Sequence, residues 1–458
     1  MISEKPNSCD LLIYGGRILI VDKQDAILND GAIAIADGRI CAIGSTGDLK
    51  ARFTATETFD AEGGVVHPGF IDAHIHISQY TARSVLPRMA GTAITMGDWK
   101  AALTPEDEHT SATLAAIDYL RSGYTAFVDP GTIFDPDAVA AVAERVGIRI
   151  WLTDPYVGDQ VTVLAQDEPD LVSSGFMRRW PRNTDEALKR LGSQLFRNRE
   201  PESLVRAFVG LYGAGTASDV LYDTALRLSR DNGVQFQEHR GYNPRTYLDE
   251  ESRYRRSTIA RLADQGVLGS GTTFTHMNVI HPDDIPTLAN TRSRIIWCPF
   301  AQLRALGAGP AEPRMLELHE NAVSVALATD IPRTLNFDAL GSVAVAGLAA
   351  TGRVACGADI LRMRTIDAAA SIGAERDIGS LEVGKYADIV VRSPSAGEML
   401  GVNPVWETAV LGLTEPPSLV LTNGIPVLRN GAAVRLDITK TKHDARQSVR
   451  RLIGRVEL

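Results

Sequence analysis

Short apolar runs alternate with helix-period segments along most of this chain, and this alternation restricts its fold more than any other feature. Runs suited to buried parallel strands lie near residues 70–77, 123–130, 148–155, 205–213, 234–239, 272–276, 294–298 and 323–330. Eight strand–helix units are the number that closes a (β/α)8 TIM barrel, whose active sites lie at the carboxyl ends of the strands. A competing open sheet normally carries a glycine-rich phosphate loop after an early strand, and the sequence has none there. We therefore predict an α/β fold with a barrel over residues 67–375.

The segments on either side of the predicted barrel are typical of β-structure. Residues 1–66 contain apolar alternations around an Asp-Gly turn at 37–38, and residues 376–438 contain a second pair around an Asn-Gly turn at 423–424. We expect the two segments to combine in one small β-sandwich domain. Residues 439–458 are basic with apolar side chains at helical spacing, which predicts a C-terminal helix that docks on the body or on a partner subunit.

Composition and charge exclude several classes of function. The chain has 458 residues, a formal charge of −9 and a pI near 5.6, which argue against nucleic acid or an acidic membrane as partner. Its four cysteines are far apart without C-x-x-C spacing, so we predict reduced thiols and no cysteine-built zinc site. Residues 1–10 do not resemble a signal peptide, and no stretch is apolar for the length of a membrane span. We expect a cytoplasmic protein.

Histidine and aspartate side chains occur where several predicted strands end. His74 and His76 are one residue apart on the first strand, so strand alternation points both imidazoles to the same side. His239, His276 and Asp330 stand at the ends of the fifth, sixth and eighth strands. The histidines of strands one and five and the aspartate of strand eight suit one divalent ion, with a position left for water. His276 then remains to shuttle a proton or to polarise a substrate carbonyl.

With these residues in place, the chain resembles the amidohydrolase superfamily, metal-dependent hydrolases built on a distorted (β/α)8 barrel. The resemblance covers nearly the whole length and rests on residues 68–76, on Thr329-Asp330 and on residues 379–388, which are similar to the family's return from the barrel to its small β-domain. It implies a site with metal ligands His74, His76, His239 and Asp330 and with catalytic residues His276 and Asp330, the latter receiving a proton from the attacking water.

Two departures from the family pattern indicate which subgroup of the superfamily the chain resembles. Binuclear relatives use a carboxylated lysine at the end of strand four, but residues 208–213 contain no lysine, so we expect one divalent metal per chain. Zinc is favoured, with cobalt, manganese or iron as alternatives. Relatives that resemble adenosine deaminases or triazine hydrolases carry a glutamate three residues after the strand-five histidine, where this chain has Tyr242. That glutamate protonates a ring nitrogen, a step that an amide, urea or carbamate carbonyl does not require.

The missing glutamate favours a hydrolase of a small, largely apolar amide-like compound, and the chain looks most like the phenylurea and thiocarbamate (molinate-type) hydrolases that degrade xenobiotics. The alternative enzyme is an aminohydrolase or chlorohydrolase that acts on a triazine-like or nucleobase-like heterocycle. In that case Tyr242 and His276 would take the role of the missing glutamate. A non-catalytic scaffold of the same fold would be expected to have lost ligands, and this chain keeps all four. Tyr242 either donates a hydrogen bond to the substrate or only lines the substrate pocket with its aromatic ring.

Two long loops are expected to border the substrate. The loop after strand one runs from Ser78 to Trp99, and the loop after strand three contains Tyr156, Phe176, Met177 and Trp180. Both exceed ordinary βα loops, which is typical of lids or subunit contacts, and such enzymes are often oligomers, so we expect a homo-oligomer. The aromatic side chains could contact an apolar substrate or pack on the rim of the barrel. The sequence does not distinguish these two roles. His281 is expected at a helix start, outside the site.

Overall fold

The structure is a computed structural model that describes residues 7–89, 91–167, 169–213, 215–305, 314–333, 336–394, 400–411 and 415–457. Within these ranges no helix combines the length and apolar character needed to cross a membrane. The strands are β1 (Asn7–Leu19), β2 (Ile27–Ala36), β3 (Arg39–Ser45), β4 (Phe53–Asp60), β5 (Val65–Pro68), β6 (Phe70–Asp72), β7 (Tyr124–Val128), β8 (Arg149–Leu152), β9 (Val205–Ala207), β10 (Val209–Gly213), β11 (Phe236–Arg240), β12 (Thr272–His276), β13 (Arg294–Trp297), β14 (Val325–Leu327), β15 (Ile389–Arg392), β16 (Leu419–Thr422), β17 (Ile425–Arg429) and β18 (Ala432–Ala433).

The terminal segments share one nine-stranded sheet. Its order is β18-β17-β16-β15-β5-β1-β2-β3, and β4 pairs with β1. Both predicted hairpins are present, because β2 pairs antiparallel with β3 and β16 with β17. The turn residues Asp37, Gly38, Asn423 and Gly424 all have positive φ, as a tight two-residue hairpin turn requires. The N-terminal share of this sheet extends through Pro68. A second sheet that completes a sandwich stays a prediction.

The central part of the chain is an α/β fold with parallel sheets. Four strands pair in the order β6-β7-β8-β9 and five in the order β10-β11-β12-β13-β14, with every pairing parallel. Only Phe208 separates β9 from β10, which together occupy the position of the predicted fourth strand. Beyond β14, Asp330 forms a parallel bridge with Ile75, and its N–H donates to the His74 carbonyl over 2.9 Å. Closure of the two sheets into a barrel stays a prediction.

Helices connect these strands. The α-helices are Thr46–Arg52, Leu86–Met89, Met96–Ala102, Pro105–Arg121, Pro136–Val142, Val161–Asp167, Ser174–Met177, Thr184–Arg190, Asp219–Asn232, Pro244–Tyr254, Thr258–Asp264, Ile285–Thr291, Pro299–Ala305, Met315–Glu320, Leu340–Ala349, Gly357–Arg364, Ile366–Ser371, Pro404–Trp406 and Ile438–Val456. Short 3₁₀ segments are Ile77–Ser84, Pro169–Leu171, Leu195–Arg199, Pro282–Asp284 and Phe337–Ala339, and π-type turns are Ala143–Gly147 and Glu407–Leu411.

Local sequence signals explain the helix that follows the first long loop. The Thr104 hydroxyl accepts from the Asp107 N–H, and the Asp107 carboxylate accepts from the Thr104 N–H, which forms a capping box ahead of Pro105. The buried face of this helix carries Ala112, Ala116 and Leu120, which belong to the main hydrophobic core. Capping and apolar burial therefore hold this helix against the first parallel sheet.

Candidate metal centre and active site

The two histidines of the H-x-H motif lie beyond the end of their strand. The strand predicted to run to residue 77 ends at Asp72, and His74 and His76 follow it on either side of Ile75. The backbone there stays extended because Ile75 donates to the Val128 carbonyl over 2.9 Å and bridges to Asp330. His76 Nε2 lies 3.1 Å and His74 Nε2 3.9 Å from Asp330 Oδ1. The predicted convergence of both imidazoles is therefore present, although strand pairing ends earlier than predicted.

Two further histidines join this group from neighbouring strands. His239 lies in β11, with its Nε2 3.4 Å from His76 Nε2 and its ring centre 4.6 Å from that of His74. His276 ends β12, and its ring centre lies 5.6 Å from that of His239. His276 and Asp330 have φ of 82° and 65°, a left-handed conformation that is unfavourable for residues with a Cβ. All five residues predicted for the metal and its proton transfers are thus brought together.

The donor set fits a divalent metal ion. Ligand atoms of His74, His76 and Asp330 all lie within 4.8 Å of one another, as do those of His74, His239 and His276. In the described part of the chain, His74 Nε2 is buried without a hydrogen-bond partner, as expected of a nitrogen that serves as a metal ligand. Neutral imidazole and carboxylate are the ligands that zinc and similar ions prefer. The zinc assignment and a count of one ion stay predictions.

Neighbouring side chains orient two of these imidazoles. Gln79 Nε2 lies 3.3 Å from His76 Nδ1, and Thr275 Oγ1 lies 3.4 Å from His74 Nδ1. Each contact occupies the ring nitrogen away from the cluster, which leaves Nε2 directed at it. Such partners typically fix the tautomer and the ring orientation of a metal-binding histidine.

Burial and the contacts among these side chains together determine the charge states in the cluster. Burial lowers the pKa of His74 and of His239 well below the ordinary value and lowers the pKa of His276 to about 4. These imidazoles are therefore neutral near pH 7, the form that binds metals. Burial raises the pKa of Asp330, but the hydrogen bond from His76 and the surrounding imidazoles outweigh it, so the pKa lies well below the ordinary value. The aspartate is an anion at neutral pH.

Asp72 connects the segment that carries His74 with the segment that carries Asp330. Its carboxylate accepts from the N–H groups of His74 and Thr329 over 3.3 and 3.0 Å, from the Thr329 hydroxyl and from the Tyr119 hydroxyl over 2.6 Å. The residue is fully buried, and burial raises its pKa to about 6. This carboxylate sets the position of the His74 backbone relative to the segment that ends in Asp330.

A cavity of about 490 Å³ lies over the cluster, within the size range of small-molecule sites. It is lined by His76, Leu86, Met89, Gly91, Thr92, Ile94, Thr95, Met96, Leu164, Asp170, Leu171, Tyr212, Gly213, Thr216, His239, Arg240, Gly241, Tyr242, Asn243, Tyr247, His276, Arg304, Asp330, Ile331 and Arg333. The loop after strand one supplies the largest group of apolar side chains that line the cavity, which are Leu86, Met89, Ile94 and Met96. The Tyr242 ring centre lies 5.0 Å from that of His276, so the residue that stands at the glutamate position borders the cavity.

The structure resolves where the aromatic side chains of the loop after strand three lie. Tyr156, Phe176 and Trp180 are buried in a cluster with Tyr212, which stacks on His239 at 5.2 Å. Of these four, only Tyr212 lines the cavity, so the other three pack behind its wall. Met177 packs against the same cluster.

Two other ionisable side chains near these strands, Glu238 and His281, lie outside the cluster. Glu238 accepts from the Tyr222 hydroxyl over 2.9 Å and from Arg240 Nε over 2.7 Å. His281 precedes the 3₁₀ turn Pro282–Asp284, with its Nε2 2.6 Å from Glu251 Oε2. The position of His281 agrees with the expectation that it lies at a helix start outside the site.

Sequence reasoning missed the basic residues around the cavity. Arg240, Arg304 and Arg333 line it, and a buried lysine, Lys100, lies in the helix that also carries the cavity residue Met96. No spacing pattern marks these residues, because they come from four separate segments. The sequence around Lys100, which includes the acidic Asp98, gives no sign that this lysine is buried.

Comparisons with known proteins agree with this architecture. The family model described as "Amidohydrolase family" matches residues 65–422, and a short match to an imidazolonepropionase-like composite domain of bacteria covers residues 31–55. The chain is 28% identical to a 5-methylthioadenosine/S-adenosylhomocysteine deaminase of Syntrophobacter fumaroxidans, over 83% of this chain and 84% of that protein. It is 26% identical to the protein of the same name in Moorella thermoacetica, over 93% and 99%.

Solved structures show the same fold. The structure of an adenosine deaminase from Xanthomonas campestris with bound zinc superposes with a TM-score of 0.84 at 23% identity and covers 98% of this chain and 100% of its own. That of atrazine chlorohydrolase from Arthrobacter aurescens TC1 complexed with zinc has a TM-score of 0.78 at 22% identity, with 96% and 100% covered. With a family model that spans most of its length and a His/His/Asp cluster at the expected strand ends, the chain belongs to the amidohydrolase family, as a metal-dependent enzyme that acts on carbon–nitrogen bonds.

Proposed function

We propose that this enzyme hydrolytically removes an amino group from a nitrogen heterocycle of the nucleobase or triazine class. The observation that carries the proposal is the similarity to proteins named 5-methylthioadenosine/S-adenosylhomocysteine deaminase, which extends over 83–97% of this chain. The phenylurea or thiocarbamate substrate that we favoured from sequence is less well supported than its alternative, because the named relatives are deaminases and a chlorohydrolase. The cavity volume of about 490 Å³ suits a heterocycle with an apolar substituent.

In this proposal His74, His76, His239 and Asp330 hold one divalent ion, with zinc favoured. When bound, such an ion supplies the Lewis acidity that makes water nucleophilic near neutral pH. The parallel sheets close into a distorted (β/α)8 barrel, so that the ligands meet at its carboxyl-terminal mouth. The nine-stranded sheet folds into the small sandwich beside it.

The protein side chains then manage protons and orientation. Asp330 is anionic and receives a proton from the attacking water at its carboxylate, then passes a proton to the departing nitrogen. His276 is neutral because it is buried, so it donates a hydrogen bond to the substrate or accepts one from it. Tyr242 borders the cavity beside His276 and orients the ring through its hydroxyl or its aromatic face.

One observation favours a second candidate. Tyr242 occupies the position of the glutamate that protonates a ring nitrogen in relatives that act on heterocycles, and tyrosine is a far weaker acid near pH 7. An open-chain urea or thiocarbamate carbonyl requires no ring protonation. Hydrolysis of such a compound is therefore the second candidate for the same site.

The test is metal analysis together with a substrate panel. The panel contains aminated purines and triazines, chlorinated triazines, aryl ureas and thiocarbamates. About one metal ion per chain with ammonia release from an aminated heterocycle supports the proposal. Amine release from a urea selects the second candidate, and two ions per chain contradict the mononuclear site. His74→Ala and Asp330→Ala are expected to lose metal and turnover, whereas the control His281→Ala, outside the cluster, is expected to keep both.

A further inference from the structure

Asp129 is a fully buried carboxylate that no step of the proposed reaction uses. It follows the strand β7 and begins the sequence Asp129-Pro130-Gly131-Thr132. Its Oδ1 accepts from the N–H groups of Gly131 and Thr132 over 2.9 and 2.7 Å, which closes an Asx-type turn after the strand. One oxygen of this carboxylate therefore fixes the turn 129–132.

The other oxygen of the carboxylate reaches the segment that carries His76. Ile77 begins a 3₁₀ segment, and in the described structure the side chain of His76 does not cap it. Asp129 Oδ2 accepts from the Ile77 N–H over 3.0 Å and so supplies the cap from another part of the chain. On the other side of His76, the N–H of Ile75 donates to the Val128 carbonyl over 2.9 Å. The backbone of His76 is therefore held on both sides by the end of β7.

The same turn also contacts the aromatic side chains behind His239. The Tyr156 N–H donates to the Gly131 carbonyl over 2.8 Å, and the Tyr156 hydroxyl donates to the Thr132 carbonyl over 2.9 Å. The Tyr156 ring stacks on that of Tyr212 with centres 5.8 Å apart, and Tyr212 stacks on His239 at 5.2 Å. One turn is thus connected to two candidate ligands, whose Nε2 atoms lie 3.4 Å apart.

The hydrogen bonds of Asp129 require a carboxylate. It accepts from three backbone N–H groups and from the Thr132 hydroxyl, so both oxygens act as acceptors. An asparagine amide keeps one acceptor oxygen and turns its NH₂ group toward the N–H of Ile77 or toward those of Gly131 and Thr132. Either orientation leaves a buried donor without an acceptor and loosens either the cap or the turn.

We propose that Asp129 is a positioning residue that holds the imidazoles of His76 and His239 at the spacing a divalent metal ion requires. It acts through the backbone of Ile77 and through the turn 129–132, and it is not one of the proposed ligands. Groups that orient metal ligands typically change metal affinity or activity 10- to 100-fold when they are replaced. The proposal rests on the proposed function only for the ligand set of the metal ion, so it applies equally to a heterocycle and to a urea as substrate.

The test measures zinc affinity, by competition with a chromogenic chelator, in Asp129→Asn and in the matched control Asp154→Asn. Asp154 is also buried and follows the neighbouring strand β8. It accepts from the N–H groups of Gly192 and Gln194 over 2.6 and 3.2 Å, which lie far in sequence from every proposed ligand. Both metal-free variants should melt below the wild type, because each leaves a buried donor unpaired. We expect Asp129→Asn to raise the Kd for zinc about 10- to 100-fold and Asp154→Asn to leave it unchanged.

Metal affinity separates positioning from a purely structural role. Equal zinc Kd values in Asp129→Asn and Asp154→Asn overturn the proposal. If Asp129→Asn does not fold, Thr132→Val decides, because valine keeps the shape and removes the hydroxyl that donates to Asp129. Its Kd for zinc should rise about 2- to 10-fold, and an unchanged Kd overturns the proposal.

The same measurement keeps this proposal distinct from the proposed function. A wild-type protein that binds neither zinc nor cobalt contradicts the metal centre and the role of Asp129 together. A wild-type protein that binds zinc but turns over no compound on the panel contradicts the substrate class alone, and the Kd comparison still decides the role of Asp129.

Discussion

The C-terminal helix is held against the cavity wall by one buried ion pair, and its loss has a calculable effect. The helix Ile438–Val456 packs Leu452 into a cluster with the cavity residues Met89 and Met96. Arg455 Nη1 lies 2.6 Å from Asp107 Oδ2, and Asp107 is fully buried while Arg455 is 35% exposed. Arg455→Met therefore leaves a buried carboxylate without its cation. It also removes the hydrogen bond to the Ala102 carbonyl.

The loss of stability in Arg455→Met depends on the hydrogen-bond donors that remain around Asp107. Breaking a fully buried pair costs about 3–5 kcal/mol. The partial exposure of Arg455 and the donors that stay, from Ser448 over 2.8 Å and from the Thr104 hydroxyl over 2.7 Å, reduce this to about 2 kcal/mol. The matched control is Arg451→Met on the same helix. Arg451 pairs with Glu106 over 3.0 Å, but the two side chains are 46% and 76% exposed, so the expected cost is below about 0.5 kcal/mol.

Hydrogen exchange of the helix amides measures this difference directly. A loss of about 2 kcal/mol lowers protection about 30-fold in Arg455→Met, against about twofold in Arg451→Met. Burial raises the pKa of Asp107, but donors led by Arg455 outweigh it and leave the pKa below its ordinary value of 3.8. The Arg455–Asp107 pair therefore makes its full contribution to stability above about pH 4, and this contribution decreases as the pH falls further. Equal protection in the two variants at pH 7 would refute the reasoning.

Three further predictions concern stability and the metal centre. Burial raises the pKa of Glu108 to about 7, so the folded state holds a proton that the unfolded state releases above about pH 4.5, and stability should fall between those values. Glu108→Gln should flatten this fall, seen as a smaller change of melting temperature from pH 5 to pH 7. Tyr119→Phe should cost about 1.5–3 kcal/mol in denaturant unfolding, because the Asp72 carboxylate loses a 2.6 Å hydrogen bond, and an unchanged midpoint would contradict this. Chelator treatment should lower the melting temperature, and zinc at about 100 times its Kd should restore about 2.7 kcal/mol, whereas no response would contradict a metal centre.

The fold was predictable wherever pattern and local chemistry agree. The apolar run at 272–276 is the strand Thr272–His276, and the capping residues Thr104 and Asp107 lie where the helix Pro105–Arg121 begins. Strand ends were less predictable. The first strand ends at Asp72 because the backbone after it pairs with Asp330 through one isolated bridge at Ile75, and the spacing of apolar residues does not reveal such a bridge. Extended backbone and regular strand pairing look alike in sequence.

The cluster of histidines and aspartate was predictable because its members follow separate strands whose ends meet. Each of His74, His239 and Asp330 stands at a strand end, so sequence position alone predicts proximity in a barrel-like arrangement. The substrate was not predictable by the same argument. Our preference for a urea depended on one residue, Tyr242, and assumed that a missing acid at that position means a missing donor.

That assumption fails physically, because a donor role is defined by position in space and not by position in sequence. Arg304 and Arg333 line the cavity from segments outside strand five, so basic side chains border it from more than one part of the chain. A ring nitrogen accepts a hydrogen bond from any donor that is desolvated and held near the reacting atom, whichever segment supplies that donor. The substitution at residue 242 therefore does not by itself exclude a heterocycle. The product that is released, ammonia from a heterocycle or an amine from a urea, decides between the two candidate substrates, and the identity of residue 242 alone does not.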